Sequence, residues 1–266
     1  MSEDRSASPP PAGAARAAAE RLARSFGFDE IAPEAKARRV REVFRNVASR
    51  YELMNDLMSG GIHRLWKEAL LDWLAPRPGL HLLDVAGGTG DIAMRFLSRV
   101  EGRGRATLVD INDAMLAVGR DRAMDAGWLG EIDWVAGDAM QLPFPDRSFD
   151  AFTIAFGIRN VTRVDRALAE ARRVLRPGGR FLCLEFSRVV LPVLDRLYDT
   201  YSFNVVPLLG RVVARDEASY RYLVESIRRF PDQQAFAALM DEAGLEQVRW
   251  RNLSGGIAAI HSGWRL

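Results

Sequence analysis

A short apolar strand that runs directly into a glycine cluster constrains this chain more than any other feature. The segment covers residues 81–91 and reads HLLDVAGGTGD. Its first half is typical of a buried strand, while Gly88 and Gly90 let the backbone turn sharply and approach a ligand without Cβ atoms in the way. Asp91 can cap the helix that the following residues predict. The pattern therefore predicts a strand, a ligand-binding turn and a helix.

Two classes of nucleotide-binding site share this arrangement. Gly88, Gly90 and Ala93 fit the G-x-G-x-x-G/A spacing of dinucleotide sites, in which the start of a helix faces a pyrophosphate. Asp84, Gly88 and Gly90 equally fit the acidic strand and glycine loop of class I S-adenosylmethionine methyltransferases. The spacing of the glycines leaves both interpretations open.

Length and composition limit the classes of protein to consider. A chain of 266 residues suits one domain with appendages. The 37 Lys and Arg are interleaved with 35 Asp and Glu, so we expect no nucleic-acid partner. Cys183 is the only cysteine, and residues 1–30 lack the apolar region of a signal peptide, which favours a cytoplasmic location. Apolar stretches are shorter than the ~20 residues of a membrane-spanning helix, so membrane contact is expected only peripherally, at the inner membrane surface.

The chain divides into five predicted segments. Residues 1–30 are predicted to be a disordered or weakly helical tail, and residues 31–79 to form a helical lid. Strands and helices alternate over residues 80–190, which predicts a cofactor-binding core with a parallel sheet covered by helices. An aromatic-rich helical insert follows at 191–230, and residues 231–266 read as a helix and two antiparallel strands at the sheet edge. The segment from 31 onwards is expected to be one domain.

Two acidic residues at predicted strand ends bear on the choice of ligand. Asp110 lies 20 residues after Gly90, where a carboxylate can accept both ribose hydroxyls in either class of site. Asp138 follows the third strand, where it can bind the adenine amino group while the N–H of Ala139 reaches a ring nitrogen. That pairing is expected of methyltransferases, although Gly137 and Asp138 also suit a plain turn.

Several blocks outside the glycine loop are far more specific. They resemble the ubiquinone/menaquinone biosynthesis C-methyltransferases of the UbiE family, over about residues 40–266. The most specific blocks are GIHRLWK, FGIRNV and SYRYLVESIRRFPDQ. The resemblance implies an α/β, Rossmann-like class I methyltransferase fold with a seven-stranded, mostly parallel sheet and an antiparallel edge strand.

The resemblance also implies a cofactor and the residues that hold it. The cofactor is S-adenosyl-L-methionine, and no metal is implied. Its expected contacts are Gly88, Thr89, Gly90, Asp110, Asp138 and Ala139. One position departs from the family: Ala155 stands where a serine is frequent, so a hydroxyl contact to the cofactor is lost there or supplied by backbone.

The implied acceptor is the ring carbon of a polyprenyl benzoquinol or of demethylmenaquinol. An aromatic carbon is a poor nucleophile unless a neighbouring hydroxyl ionises, so the acceptor should be the quinol. Arg159 is predicted to contact the quinol oxygen, directly or through water. Asn160 is predicted to orient the ring or its water, or else to cap the helix expected from Thr162. Tyr51, from the lid, is the third predicted catalytic residue, whereas His63 is expected to be structural.

Other interpretations stay open beside this one. Leucines and valines of the insert at 191–230 are predicted to line an apolar groove for the polyprenyl tail, or simply to pack on the sheet. The main alternative is a class I methyltransferase with a different small aromatic or lipid acceptor. A non-enzymatic scaffold and an NAD-dependent oxidoreductase are less favoured. A homo-oligomer or a quinone-biosynthesis complex is compatible with the sequence.

Overall fold

The computed structural model describes residues 14–47, 56, 59–190 and 217–266. The helices are α1 Ala14–Ala23, α2 Pro33–Val47, α3 His63–Leu74, α4 Asp91–Arg99, α5 Asp113–Asp125, α6 Val164–Val174, α7 Glu217–Arg229 and α8 Gln233–Glu242. The strands are β1 Ser25–Phe26, β2 Asp29–Glu30, β3 His81–Val85, β4 Arg105–Asp110, β5 Ile132–Ala136, β6 Phe149–Ala155, β7 Leu175–Phe186, β8 Glu246–Leu253 and β9 Ala258–Arg265. Tyr51 and the insert from 191 to 216 lie outside the described residues. Within the described ranges, each helix is too short or too polar to span a bilayer.

Seven strands form the main sheet, in the order β5-β4-β3-β6-β7-β9-β8. The first five strands in this order, β5, β4, β3, β6 and β7, pair in parallel. Strand β9 runs antiparallel to both β7 and β8. The predicted mostly parallel sheet is confirmed, and the reversed strand β9 lies one place in from the edge, between β7 and β8. The chain reverses its direction of strand addition between β3 and β6, which is where open α/β sheets place their ligands.

Apolar side chains cover both faces of the sheet. Neighbouring residues of a strand point to opposite faces, so Leu82 packs in one core cluster and Leu83 in the other. Leu70 of α3 and Phe96 of α4 belong to the first cluster, and Phe236 of α8 to the second. The apolar residues of β3, Leu82, Leu83 and Val85, suit a strand that is covered on both faces.

The N-terminal helices pack onto this core and reach one end of the sheet. Ala19 and Leu22 of α1 are buried, within the segment predicted to be a disordered or weakly helical tail. Lys36 of α2 is also buried, and its Nζ donates to the carbonyl oxygens of Leu22 at 2.7 Å and Val161 at 3.3 Å. This lysine therefore fixes α2 between α1 and the loop that follows β6.

Several predicted boundaries shift in the structure. The helix expected from Thr162 begins at Val164 with Arg163 as its N-cap, so the alternative role of Asn160 as that cap is wrong. Strand β7 begins at Leu175, directly after α6, because Leu175 already pairs with Phe149. The Pro-Gly-Gly sequence after the helix thus lies within the bounds of a long strand.

Candidate functional site

One large cavity lies at the carboxyl ends of the parallel strands. Its empty volume is about 860 Å³, part of it open solvent. The loops after β3, β4, β5 and β6 contribute to its wall, and Ala37, Val40 and Arg41 of α2 lie against it. Helix α2, which lies in the segment predicted to be a lid, therefore forms one side of the cavity.

The glycine loop between β3 and α4 forms the floor of this region. Gly88 and Gly90 have φ values of 55° and 82°, the left-handed conformation that favours glycine. A Cβ on Gly90 would lie 2.7 Å from the ring of Trp134, so no larger residue fits there. Gly88 lines the cavity, whereas Gly90 faces Trp134 behind it.

Asp91 was predicted to cap the helix that follows the loop, and this prediction is wrong. The N-cap of α4 is Gly90, and no side chain caps that end. The Asp91 carboxylate instead binds Lys67 Nζ at 2.7 Å and Arg95 Nε at 2.9 Å. Asp91 is the first residue of α4 rather than its N-cap, so its carboxylate is not in the capping position and pairs with two cationic side chains instead.

Asp110 connects the end of β4 to the glycine loop. Its Oδ2 accepts the Gly88 N–H and its Oδ1 accepts the Asn112 N–H, both at 2.9 Å. Burial raises the pKa of Asp110 to about 6, and the backbone N–H groups oppose that rise. The carboxylate lines the cavity and keeps lone pairs for further donors.

Asp138 and Ala139 line the same cavity after β5. The Asp138 Oδ1 accepts the Met140 N–H at 2.9 Å, which closes a tight turn of the kind that Gly137 and Asp138 suggested. Asp138 therefore closes this turn and is also the residue predicted to bind the adenine amino group. The structure brings Asp110, Asp138, Ala139 and Gly88 together around one space.

Thr89 lies in a different environment from its neighbours in the loop. Its hydroxyl accepts from Arg122 Nη1 at 2.6 Å, and the side chain is buried. It lines a second, smaller cavity behind the loop, together with Lys67, Asp84 and Ala155. A contact of the Thr89 side chain with the cofactor therefore stays a prediction.

Asp84 is the most perturbed carboxyl in that smaller cavity. Burial raises its pKa to about 7, although the hydroxyl of Thr153 donates to Oδ1 at 2.8 Å. Among the described residues, Oδ2 has no hydrogen-bond partner. A buried carboxyl with one free oxygen behind the glycine loop fits a polar ligand or a water in this space.

Arg159 and Asn160 form the short 3₁₀ turn Ile158–Asn160 after β6. Arg159 is buried, and its Nη1 donates to Glu185 Oε1 and to the carbonyl oxygen of Phe156, both at 2.7 Å. Asn160 lines the large cavity, and its Oδ1 accepts from the hydroxyl of Tyr222 at 2.9 Å. The structure thus places Asn160 on the cavity wall and Arg159 directly behind it.

The remaining lid residues have structural partners. The buried His63 bonds through Nε2 to Asp56 Oδ1 at 2.9 Å, and Asp56 also accepts from Arg64. The hydrogen bonds to His63 and Arg64 outweigh burial and lower the pKa of Asp56. Tyr51 lies outside the described residues, so its predicted catalytic role stays a prediction.

Three residues that the sequence analysis did not propose contact the site. Glu185 pairs with Arg159, Tyr222 binds Asn160, and Lys67 binds Asp91. Two of them carried a signal in the sequence. Glu185 is a charge within the apolar run FLCLEF, and Lys67 lies among the mostly apolar residues of the buried face of α3. Tyr222 carried none beyond its place among other aromatic residues.

Comparison with known proteins identifies close relatives. The family model of the ubiE/COQ5 methyltransferase family matches residues 32–265. A protein of Paracoccus denitrificans named ubiquinone/menaquinone biosynthesis C-methyltransferase UbiE is 62% identical over 91% of this chain and 96% of its own length. A protein of the same name from Methylobacterium nodulans is also 62% identical, over 94% of this chain and 99% of its own.

A solved structure supports the fold independently. It is an S-adenosylmethionine-dependent methyltransferase from Thermotoga maritima, described as a possible histamine N-methyltransferase. It superposes with a TM-score of 0.60 over 85% of this chain and all of its own, at 20% identity. At that identity the likeness concerns the fold alone.

Proposed function

The chain belongs to the ubiE/COQ5 methyltransferase family, and on that premise we propose that it methylates a ring carbon of polyprenyl quinols with S-adenosylmethionine. The acceptors are 2-methoxy-6-polyprenyl-1,4-benzoquinol, demethylmenaquinol, or both. Relatives named for ubiquinone and menaquinone biosynthesis match nearly their whole length, which supports this acceptor class. The observation that carries the proposal in the structure is that Asp110, Asp138 and Asn160 line one cavity, so donor and acceptor would share a single space.

The residues around the cavity fit the adenosine part of the cofactor. Asp110 would accept the ribose hydroxyls, because its two oxygens are fixed by backbone N–H groups and retain free lone pairs. Asp138 would accept the adenine amino group while the N–H of Ala139 binds a ring nitrogen. Gly88 would let the backbone approach the cofactor closely. When bound, S-adenosylmethionine supplies an electrophilic methyl group on a positively charged sulfur.

The loop after β6 would act on the acceptor. C-methylation of a quinol would require loss of a hydroxyl proton, transfer of the methyl group to the ring carbon with release of S-adenosylhomocysteine, and loss of the ring proton to restore aromaticity. Negative charge on the quinol oxygen therefore has to be stabilised. Asn160 on the wall and Arg159 behind it would supply hydrogen-bond donors to that oxygen, directly or through water. Arg159 Nε is buried without a partner among the described residues.

Arg159 would not serve as the base that removes the proton. A guanidinium stays protonated in proteins, and Arg159 Nη1 already donates to Glu185. Its contribution would be a fixed positive charge and oriented N–H groups. Tyr51, from the predicted lid, remains the proposed third catalytic residue.

Methyl transfer from labelled S-adenosylmethionine tests the proposal directly. The acceptors are a short-tail 2-methoxy-6-polyprenyl-1,4-benzoquinone and a short-tail demethylmenaquinone, each with and without a chemical reductant. We expect product only with the reductant, and loss of product in Arg159→Ala without loss of cofactor binding. Tight cofactor binding without product from either acceptor would mean that this methyltransferase acts on a different acceptor.

A polyprenyl acceptor dissolves in lipid, so we also propose peripheral contact with a membrane surface. Ile62 and Leu65 at the start of α3 are 41% and 69% exposed, and Val190 is 55% exposed. Helix α3 and Val190 meet at the turn Ser254–Gly256, where Trp66 Nε1 donates to Ser254 Oγ at 2.9 Å and the Val190 N–H donates to Gly255 at 3.0 Å. The two segments that carry these exposed apolar side chains are therefore both joined to one turn.

Liposome flotation tests this contact. The variant Ile62→Ser with Leu65→Ser should float less than the wild type. Leu129→Ser is the matched control, because Leu129 is 80% exposed on another part of the surface. Equal flotation of all three proteins would remove the proposed surface.

A further inference from the structure

Tyr222 reaches the candidate site from a distant part of the chain. It belongs to α7, 62 residues after Asn160, and its hydroxyl lies 2.9 Å from Asn160 Oδ1. Asn160 lines the large cavity, whereas Tyr222 is buried behind it. The bond therefore joins a cavity residue to a side chain that does not touch the cavity.

The position of the Tyr222 hydroxyl is fixed by packing. Its ring stacks on Phe26 of β1 at a centroid distance of 4.2 Å and an interplanar angle of 18°. Leu223 and Val224 beside it on α7 are buried in the core. A ring held by stacking and by a packed helix has little freedom, so its hydroxyl is a preorganised partner.

The hydroxyl acts as the donor in this bond. Burial raises the pKa of Tyr222, with a smaller opposing effect of Arg159, so the phenol keeps its proton. The facing atom of Asn160 is its carbonyl-type oxygen, which can only accept. The bond thus occupies Oδ1 and leaves Nδ2 as the remaining polar atom of the side chain. No acceptor for Nδ2 is found among the described residues.

We propose that Tyr222 is a positioning residue, which orients the Asn160 carboxamide so that Nδ2 donates to the ring oxygen of the quinol acceptor. This inference rests on the proposed function. A donor at that point stabilises the oxygen as its negative charge grows, while a carboxamide turned the other way would present an oxygen to an anion. Tyr222 acts through Asn160 and does not touch the substrate.

The test is a double-mutant cycle on the full-length protein. Tyr222→Phe removes only the hydroxyl and keeps the ring that stacks on Phe26, while Asn160→Ala removes the carboxamide. We expect Tyr222→Phe to lower kcat by about 5- to 10-fold, as for the loss of one positioning hydrogen bond. Asn160→Ala should lower it by about 100-fold. In the Asn160→Ala background, Tyr222→Phe should cost less than about twofold more.

Two further measurements separate positioning from a loss of structure. The dissociation constant of S-adenosylhomocysteine, measured by calorimetry, should stay within about twofold in Tyr222→Phe. The hydrogen bond between Tyr222 and Asn160 does not involve the residues proposed to bind the cofactor. Tyr220→Phe is the matched control, since it removes a hydroxyl from a buried tyrosine of the same helix. It should leave kcat unchanged even if it lowers stability.

The side-chain amide resonance of Asn160 in a nitrogen-15 NMR spectrum gives a readout independent of the reaction. It is assigned by its absence in Asn160→Ala and should shift in Tyr222→Phe but not in Tyr220→Phe. An unchanged kcat in Tyr222→Phe, or the same loss in both Asn160 backgrounds, would overturn the inference. If the wild type methylates neither quinol, the proposed acceptor is wrong and the resonance decides: a shift in Tyr222→Phe supports the positioning bond, and no shift overturns it.

Discussion

Arg159 and Glu185 form a buried ion pair directly behind the wall of the candidate site. Nη1 lies 2.7 Å from Oε1, and the two side chains are 3% and 2% exposed. Glu185 also accepts the Phe186 N–H at 2.9 Å, and the guanidinium lies over the ring of Phe186. Burial raises the pKa of Glu185, and Arg159 opposes that rise. The pair is therefore built so that each charge depends on the other.

Glu185→Gln should be strongly destabilising. The substitution keeps the size of the side chain but leaves the Arg159 guanidinium buried without a counter-charge, which costs about 3 kcal/mol or more. Urea unfolding measures the loss. Glu246→Gln serves as the control, because Glu246 is exposed at the start of β8. Equal unfolding free energies in the two variants would show that the pair contributes nothing to stability.

Lys36 should make stability rise with pH in the alkaline range. Burial lowers its pKa from 10.5 to about 8, so between these values the unfolded chain binds a proton that the folded protein has lost. The free energy of unfolding should therefore increase by about 2 kcal/mol from about pH 7.5 to about pH 9.5 through this group. Lys36→Met should lack this increment in urea unfolding, while other groups titrate alike in both proteins.

Arg38→Met is the matched control on the same helix, because Arg38 is exposed. It should keep the wild-type rise between the two pH values. The expectation fails if Lys36→Met and Arg38→Met respond to pH in the same way.

Gly119→Ala should be destabilising although alanine favours helices. A Cβ at Gly119 of α5 would lie 2.4 Å from the ring of Trp134 and 3.2 Å from the backbone of Thr89. Overpacking of this kind costs about 1–3 kcal/mol, against a gain of up to about 1 kcal/mol in helix propensity. We expect a net loss of about 1 kcal/mol or more in chemical unfolding, with weaker binding of S-adenosylhomocysteine.

Gly130→Ala is the control for the same substitution, since a Cβ there meets nothing within 4 Å. It should change neither stability nor cofactor affinity. A stable, tightly binding Gly119→Ala would mean that Trp134 moves aside without cost.

The sequence predicted that the proposed cofactor residues lie close together, because their geometry is local. A strand, a glycine turn and a helix place Gly88, and Asp110 follows at the end of the next strand, where parallel pairing brings it to the loop. Asp138 follows the third strand in the same way. Adjacent parallel strands end at one edge of the sheet, so spacing along the chain translates into proximity.

Contacts between distant segments could not be predicted in the same way. The partner of Arg159 depends on β7 lying next to β6, and the partner of Asn160 comes from α7. The hydroxyl of Thr89 is occupied by Arg122 of α5, although its place in the loop suggested the cofactor. Side-chain pairs of this kind are set by tertiary packing, which neither periodicity nor motif spacing encodes.

Cofactor affinity should fall in mild acid because of Asp110. Its pKa is raised to about 6 by burial, and the carboxylate form is the one that can accept two ribose hydroxyls. The dissociation constant of S-adenosylhomocysteine should therefore rise about tenfold for each pH unit below about 6. In the free protein this group has the opposite effect on stability, which decreases from about pH 4 to about pH 6, since the folded state holds the proton longer.

Calorimetric titration of S-adenosylhomocysteine between about pH 5 and about pH 8 measures the effect, and Asp110→Asn identifies its source. The variant should bind more weakly at the alkaline end and show no further loss near pH 6, because an amide does not titrate. Asp84 is the second buried carboxyl near the loop, with a pKa raised to about 7, so a contribution from it would begin at a higher pH and persist in Asp110→Asn. A pH dependence identical in the wild type and Asp110→Asn would exclude Asp110 as the titrating group and transfer the effect to Asp84.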